Sequence, residues 1–165
     1  IGDPNPDIYG NIFTSFNYNR LRLDLSFNYS LGNDVHDYLR SQLESGSRFM
    51  NQTTAVVNRW QTEGQITDVP KAVFQDPMGN GRFSDRWIED GSYMKLKTIT
   101  LSYTLPVHST FFQGFQFWLQ ANNVLTFSKY LGAEFAATSR VLGQGIDLGQ
   151  LPQSRSFVAG VKINL

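Results

Sequence analysis

Residues 155–165 read Arg-Ser-Phe-Val-Ala-Gly-Val-Lys-Ile-Asn-Leu, and no other stretch constrains the fold as much. Phe157, Ala159, Val161, Ile163 and Leu165 fall on one face of an extended chain; Ser156, Val158, Gly160, Lys162 and Asn164 fall on the other. A period of two describes a strand between two environments, here one apolar and one mostly polar. A soluble sheet offers such a pair, with core on one side and water on the other. A barrel wall offers lipid and a polar interior. The other strands must decide between them.

Two of them are unambiguous. In residues 21–29, Leu21, Leu23, Leu25, Phe27 and Tyr29 alternate with Arg22, Asp24, Ser26 and Asn28. Residues 11–19 place Ile12, Thr14, Phe16 and Tyr18 on one face, and the short link at Asn19 and Arg20 makes the pair a hairpin. Before it, residues 1–10 hold two prolines and two glycines and read as a loop. Residues 92–105 form the next strand, with Ile99, Leu101, Tyr103 and Leu105 aligned. Lys95 and Lys97 share that phase. Either they stand above a membrane rim or a bulge shifts the phase near Thr98; the first is expected here. Residues 114–127 set Phe115, Phe117, Leu119 and Ala121 against Gln116, Trp118, Gln120 and Asn122.

The connections between these five strands alternate short, long, short, long. Residues 31–91 are the first long one. Phe49, Thr53, Val56, Val57 and Trp60 recur there at helical spacing, which predicts a short loop helix over residues 47–61 stopped near Gly64. Residues 128–154 are the second. Outer-membrane barrels have short periplasmic turns and long outer loops. Counting back from residue 165 puts the C-terminus and both short turns on the periplasmic side. With the two lysines above the rim, no charge falls on the five apolar faces. Five strands close no barrel, and an open edge is intolerable in lipid. The pattern therefore predicts an all-β, antiparallel transmembrane barrel fragment that is completed by further strands.

Composition narrows the function classes. Fourteen basic and fourteen acidic residues give zero formal charge, which offers nucleic acid nothing. The absence of cysteine excludes disulfides, thiolate metal sites and thiol nucleophiles. His36 and His108 are the only histidines. His36 lies near Asp34 and Asp37, but no wider ligand pattern supports a metal, and a solvated loop histidine is expected. No nucleophile elbow accompanies the Ser, His and Asp residues, so neither catalysis nor a cofactor is expected.

The segment 84–106 reads Ser-Asp-Arg-Trp-Ile-Glu-Asp-Gly-Ser-Tyr-Met-Lys-Leu-Lys-Thr-Ile-Thr-Leu-Ser-Tyr-Thr-Leu-Pro. With Gly-Asp-Pro-Asn-Pro at 2–6, Gly-Asn-Asp-Val at 32–35, Asn-Asn-Val-Leu-Thr-Phe-Ser-Lys-Tyr at 122–130 and Pro-Gln-Ser-Arg-Ser-Phe at 152–157, it resembles the C-terminal part of SusC/RagA-type TonB-dependent outer-membrane transporters. The likeness spans nearly the whole chain. It departs at Leu165, where the family usually ends in an aromatic, and at Ala133-Glu134-Phe135, where the family has Asp-Pro-Glu. The resemblance implies the last five strands of a 22-stranded barrel around an N-terminal plug, with plug and earlier strands outside residues 1–165. It implies an outer-membrane importer of oligosaccharides or peptides, driven through the TonB complex and lidded by a SusD-like lipoprotein. Competing readings are a soluble β-sandwich that binds carbohydrate and a passive porin fragment.

Three residue sets follow. Trp87 among Asp85, Arg86, Glu89 and Asp90 either stacks on a sugar or builds the loop framework, with Arg86 paired to an acid; the framework is expected. Arg22, Asp24, Asn28, Gln116, Gln120 and Lys162 face the lumen. Phe157, Ala159, Val161, Ile163 and Leu165 form the membrane-insertion strand.

Overall fold

The computed structural model describes residues 1–107, 114–132 and 144–164. His108, Ala133-Glu134-Phe135 and Leu165 lie outside the described residues. In chain order the elements are β1 (Ile8–Tyr18), β2 (Leu21–Leu31), β3 (Asp34–Asp37), α1 (Tyr38–Glu44), two single 3₁₀ turns (Thr54–Asn58 and Asp85–Trp87), β4 (Ile88–Asp90), β5 (Tyr93–Pro106), β6 (Gly114–Ser128), β7 (Ile146–Asp147) and β8 (Ser156–Asn164). They form two compact units. No helix among the described residues is long and apolar enough to cross a membrane, which says nothing of strands.

One unit is an antiparallel five-stranded sheet in the order β1-β2-β5-β6-β8. Its register aligns the apolar positions read from the sequence. Phe16, Leu23, Leu101, Leu119 and Ala159 are successive cross-strand partners, as are Thr14, Leu25, Ile99, Ala121 and Phe157. The next row toward the Asn19-Arg20 turn holds Tyr18, Leu21, Tyr103, Phe117 and Val161. Asn19 takes φ 52°, a left-handed conformation that asparagine tolerates better than most residues and that a two-residue hairpin turn needs. β1 starts at Ile8, earlier than expected, because its ladder with β2 extends to Leu31 through the residues assigned to a loop.

The lysine phase resolves through the bulge and not through the rim. Thr98 pairs with Ser26, whereas Leu96 pairs with Phe27, so Lys97 is the extra residue in β5. β6 answers it: Thr98 pairs with Asn122, but Leu96 pairs with Leu125. Asn123 takes a left-handed φ of 54° within this irregularity. The shift returns Leu96 and Met94 to the apolar face, beside Leu125 and Phe127. It sends Lys95 to the polar face opposite Asn28, where its Nζ lies 3.1 Å from Gln153 Oε1. One inserted residue reverses the side-chain phase beyond it, which is how a bulge moves a charge off an apolar face.

That face stays open. Leu119 is 60% exposed and Phe157 79%, and Ile12, Phe16, Leu101, Phe127, Val161 and Ile163 are exposed with them. Covering each large side chain is worth about 1.5–3 kcal/mol, so an open face of this extent needs an apolar neighbour.

The second unit comprises Ile1–Asn5, Asn33–Asp90 and Tyr130–Pro152. It holds a small sheet in the order β4-β3-β7, with β3 and β7 parallel. Val35, with no exposed surface, and Trp87, 1% exposed, are its two most deeply buried large side chains among the described residues. The helix expected over 47–61 is absent. Only a 3₁₀ turn forms there, and the supposed stripe is split: Val56 is buried, whereas Phe49 and Val57 are exposed. Adjacent β-branched threonines disfavour continued helix. The α-helix lies instead at Tyr38–Glu44, where the Asp37 carboxylate accepts a hydrogen bond from the Arg40 amide at 2.8 Å and caps it.

These registers make a sharp distinction between neighbours. Leu23→Arg should abolish most heat-modifiable, membrane-assembled protein, because an arginine at mid-depth in lipid costs about 2–4 kcal/mol. Asp24→Arg keeps its charge on the polar face and should lose far less. Equal losses in a gel-shift assay of membranes would show the assigned faces to be wrong.

Candidate functional site

The cluster around Trp87 is an interior, built from three chain segments. Asp85–Trp87 is a 3₁₀ turn that delivers Trp87 inward, and the indole Nε1 donates to Arg82 O at 3.2 Å. Guanidinium groups lie over the ring: Arg86 at 5.0 Å from the centroid and Arg40 at 5.5 Å. Such contacts contribute about 0.5–2 kcal/mol as the cation is desolvated. At 1% exposure the ring has no face left for a sugar. Glu89 also points inward, whereas Asp85 and Asp90 are exposed. The five residues are therefore not gathered on one ligand-facing surface.

Arg40, not Arg86, is the cation that pairs with an acid here. Its Nη2 lies 2.7 Å from Glu89 Oε1 and donates to Arg86 O at 2.9 Å, and its Nε lies 3.8 Å from Asp37 Oδ2. Glu89 Oε2 accepts from the Leu131 amide at 3.0 Å, which ties the second long connection to the first. Tyr130 donates to Asp147 at 2.6 Å. Burial, then this bond to a carboxylate, push the phenol's pKa far above its ordinary value. The segment Ile1–Asn5 closes the unit: Asp34 N donates to Asp3 O at 2.7 Å, Asp3 N to Asp34 Oδ2 at 3.0 Å, and Gln144 Nε2 to Asn5 Oδ1 at 3.1 Å. Gly145, at φ 77°, leaves the room that Pro4 fills, since a Cβ there would meet Pro4.

His36 is not the solvated loop histidine expected. It lies in β3 between Ile88 and Ile146, its ring 4.6 Å from that of Phe83, and its Nε2 is buried without a partner. Burial lowers its pKa, with Asp37 opposing. Among the described residues no group of three or more His, Cys, Asp or Glu is arranged to hold a metal.

In the five-stranded unit, Arg22, Asp24, Gln116, Gln120 and Lys162 do converge. They share a cavity of about 360 Å³ with Thr100, Ser102 and Trp118, on the face opposite the apolar rows. Arg22 Nε reaches Asp24 Oδ2 at 2.9 Å, and Ser15 donates to Asp24 Oδ1. Asn28 stands apart, in the row of Lys95 and Thr126. Trp118, which the alternation had marked only as polar-face, lies over Gly160, where a Cβ would come within 2.4 Å of the ring. Only the β6–β8 register reveals that pairing of large with small.

A two-faced antiparallel sheet whose apolar side is open, with its long connections folded as a separate unit, is the wall of a transmembrane β-barrel. The comparisons say which kind. The chain is 31% identical over 99% of its length to TonB-dependent receptor P3 of Formosa agariphila, and 26% identical over the same share to TonB-dependent receptor P26 of that organism. Solved structures of the RagAB peptide importer superpose with TM-scores of 0.82 in its closed-closed and open-open states, at 30% and 28% identity, covering 97% of this chain. No protein-family model matches. The chain spans 17% of the length of each of these relatives and structures. It is thus homologous to part of a SusC/RagA-type TonB-dependent receptor.

Two outcomes test the loop unit. Arg40→Met strands Glu89 and Asp37 and should destabilise it by about 3–5 kcal/mol, whereas Arg86→Met forfeits mainly its ring contact and should cost about 0.5–2 kcal/mol. Hydrogen exchange at the Val35 and Trp87 amides of the complete receptor reads both; equal effects would remove Arg40 from the centre of the unit. For His36 the folded form resists protonation while the unfolded form titrates near its ordinary pKa of about 6.5. The unit should therefore hold its stability above that value and lose it as pH falls below it. His36→Phe should flatten that dependence, and an unchanged pH profile would exclude His36 as its source.

Proposed function

We propose that residues 1–165 are the C-terminal segment of the barrel of an outer-membrane, TonB-dependent active importer, with plug and earlier strands supplied by the rest of the parent chain. The observation that carries this is the open apolar face on a sheet whose outer edges, on β1 and β8, have no partner within the chain's described residues. Homology over nearly the whole chain to receptors of this family supports it. In this reading the relatives are receptors and transporters, not enzymes, and so is the parent protein. The cargo is an oligosaccharide or a peptide. A SusD-like surface lipoprotein acts as lid, and the TonB complex acts through the plug.

The residues take their roles accordingly. Phe157, Ala159, Val161 and Ile163 face lipid on the insertion strand. Arg22, Asp24, Asn28, Gln116, Gln120 and Lys162 face the lumen. Asp85, Arg86, Trp87, Glu89 and Asp90 belong to the framework that holds the outer loops, for which the buried indole is the support. The C-terminus is periplasmic, so the unit built on Asn33–Asp90 is outside the cell.

Proteolysis of intact cells tests this topology. Cleavage is expected within 71–81, where Phe74 and Met78 are exposed, and not at Asn19-Arg20 or within 107–114. Cuts at either short turn in intact cells would invert the assignment. Import of the cargo should stop when TonB is deleted while the receptor remains in the membrane; continued uptake would favour a passive pore.

A further inference from the structure

Six arginine and lysine side chains fall among the described residues of the loop unit, and four of them have a partner. Arg40 pairs with Glu89, Arg59 donates to Val56 O at 3.3 Å, Lys71 lies over the ring of Trp60, and Arg86 lies over that of Trp87. The guanidinium groups of Arg48 and Arg82 have neither ion pair nor hydrogen bond among the described residues. These two are not scattered. Both line one cavity of about 580 Å³.

Three short segments build this cavity, 42–48, 74–76 and 79–82. Gln75 N donates to Ser47 O at 3.0 Å and joins the first two. The Asp76 carboxylate joins the second to the third: Oδ1 accepts from the Asn80 amide at 2.8 Å and Oδ2 from the Gly81 amide at 2.7 Å. Asp76 is the one acid among the described residues of the lining, and both its oxygens are bonded to backbone and not to an arginine. Gly79, at φ 73°, makes room for Arg82, since a Cβ there would lie 2.7 Å from Arg82 Nε. Gln75 and Asp76 take φ of 62° and 46°, a left-handed pair of the kind that clusters at ligand clamps. The hydroxyls of Ser45 and Ser47, 2.8 Å apart, add a polar wall.

The lining thus carries two guanidinium charges against one carboxylate that is already bonded. A guanidinium is a planar fork that matches the oxygens of a carboxylate or a phosphate. A carboxylate has one charge and two oxygens, enough for a single fork. A phosphate monoester carries close to two charges and three acceptor oxygens, enough for both.

We propose that this cavity binds a phosphate group, held between Arg48 and Arg82. The site goes beyond the import reading and does not depend on what the parent protein carries. Calorimetry on the complete receptor in detergent, in buffer free of phosphate, tests it with inorganic phosphate and with acetate as probes. Phosphate should bind and acetate should not do so measurably. Arg48→Gln and Arg82→Gln should each weaken phosphate about tenfold, as expected when a charge-assisted hydrogen bond is lost. Arg59→Gln removes the same charge from outside the cavity and should change nothing. Hydrogen exchange at the Trp87 amide reports whether each variant folds; should Arg82→Gln lose protection there, Arg48→Gln alone decides. Repeating the titration in nanodiscs of phosphatidylcholine with and without phosphatidate separates two sources of the group. Competition by phosphatidate assigns the site to a lipid headgroup, and an unchanged titration assigns it to a soluble phosphate. No binding of phosphate, acetate bound as tightly, an affinity that Arg48→Gln leaves intact, or an equal loss in Arg59→Gln would overturn the proposal.

Discussion

The structure depends on one constraint: a five-stranded sheet with an apolar face that nothing in its own unit covers. Rows such as Leu23, Leu101, Leu119 and Ala159 run unbroken across four strands. Most of their neighbours, Arg22, Asp24, Thr100, Ser102 and Gln120 among them, are polar and face the other way. In water that arrangement forfeits several kcal/mol across a handful of side chains alone. In lipid it becomes the stable choice, provided the strand edges are paired and no charge breaks the face. Lys95 is the residue that tests the second condition, and the bulge at Lys97 meets it at the cost of leaving Lys97, and Asn123 and Val124 opposite it, out of the ladder, with Asn123 left-handed.

The loop unit obeys a different economy. Among its described residues few apolar side chains are fully buried, so much of its definition comes from polar groups that would be costly to strand. Arg40 bonds Arg86 O, pairs with Glu89 and lies beside Asp37; Glu89 in turn holds Leu131, and Asp34 holds Asp3. Residues far apart in sequence thereby become one body. The motifs Gly-Asp-Pro-Asn-Pro and Gly-Asn-Asp-Val meet here, through Asp3 and Asp34. A unit held in this way is sensitive to the loss of a single partner.

The strands were legible because two environments impose a period of two, and the signal repeats in five places. The bulge was not, because one inserted residue leaves both lysines on a plausible face until cross-strand partners are known. The helix was misplaced since Val56, Val57 and Trp60 imitate a stripe, while the real signal, Asp37 capping the Arg40 amide, is a single residue before a short helix. Trp87 could be placed among charged side chains from its setting, but the cation that pairs with an acid there could not: Arg40 lies 46 residues from Arg86 in sequence, and only folding brings them together. Likewise the polar-face residues were found by phase, whereas the fit of Trp118 to Gly160 needed the register.

The central claim is that the face bearing Leu119 meets lipid and the face bearing Gln120 does not. It is tested most directly by placing a fluorescent probe at either position of the complete receptor in vesicles of brominated lipid. Bromine quenches only across short distances, so the account predicts strong quenching at 119 and little at 120. Equal quenching at both, or the reverse order, would contradict it.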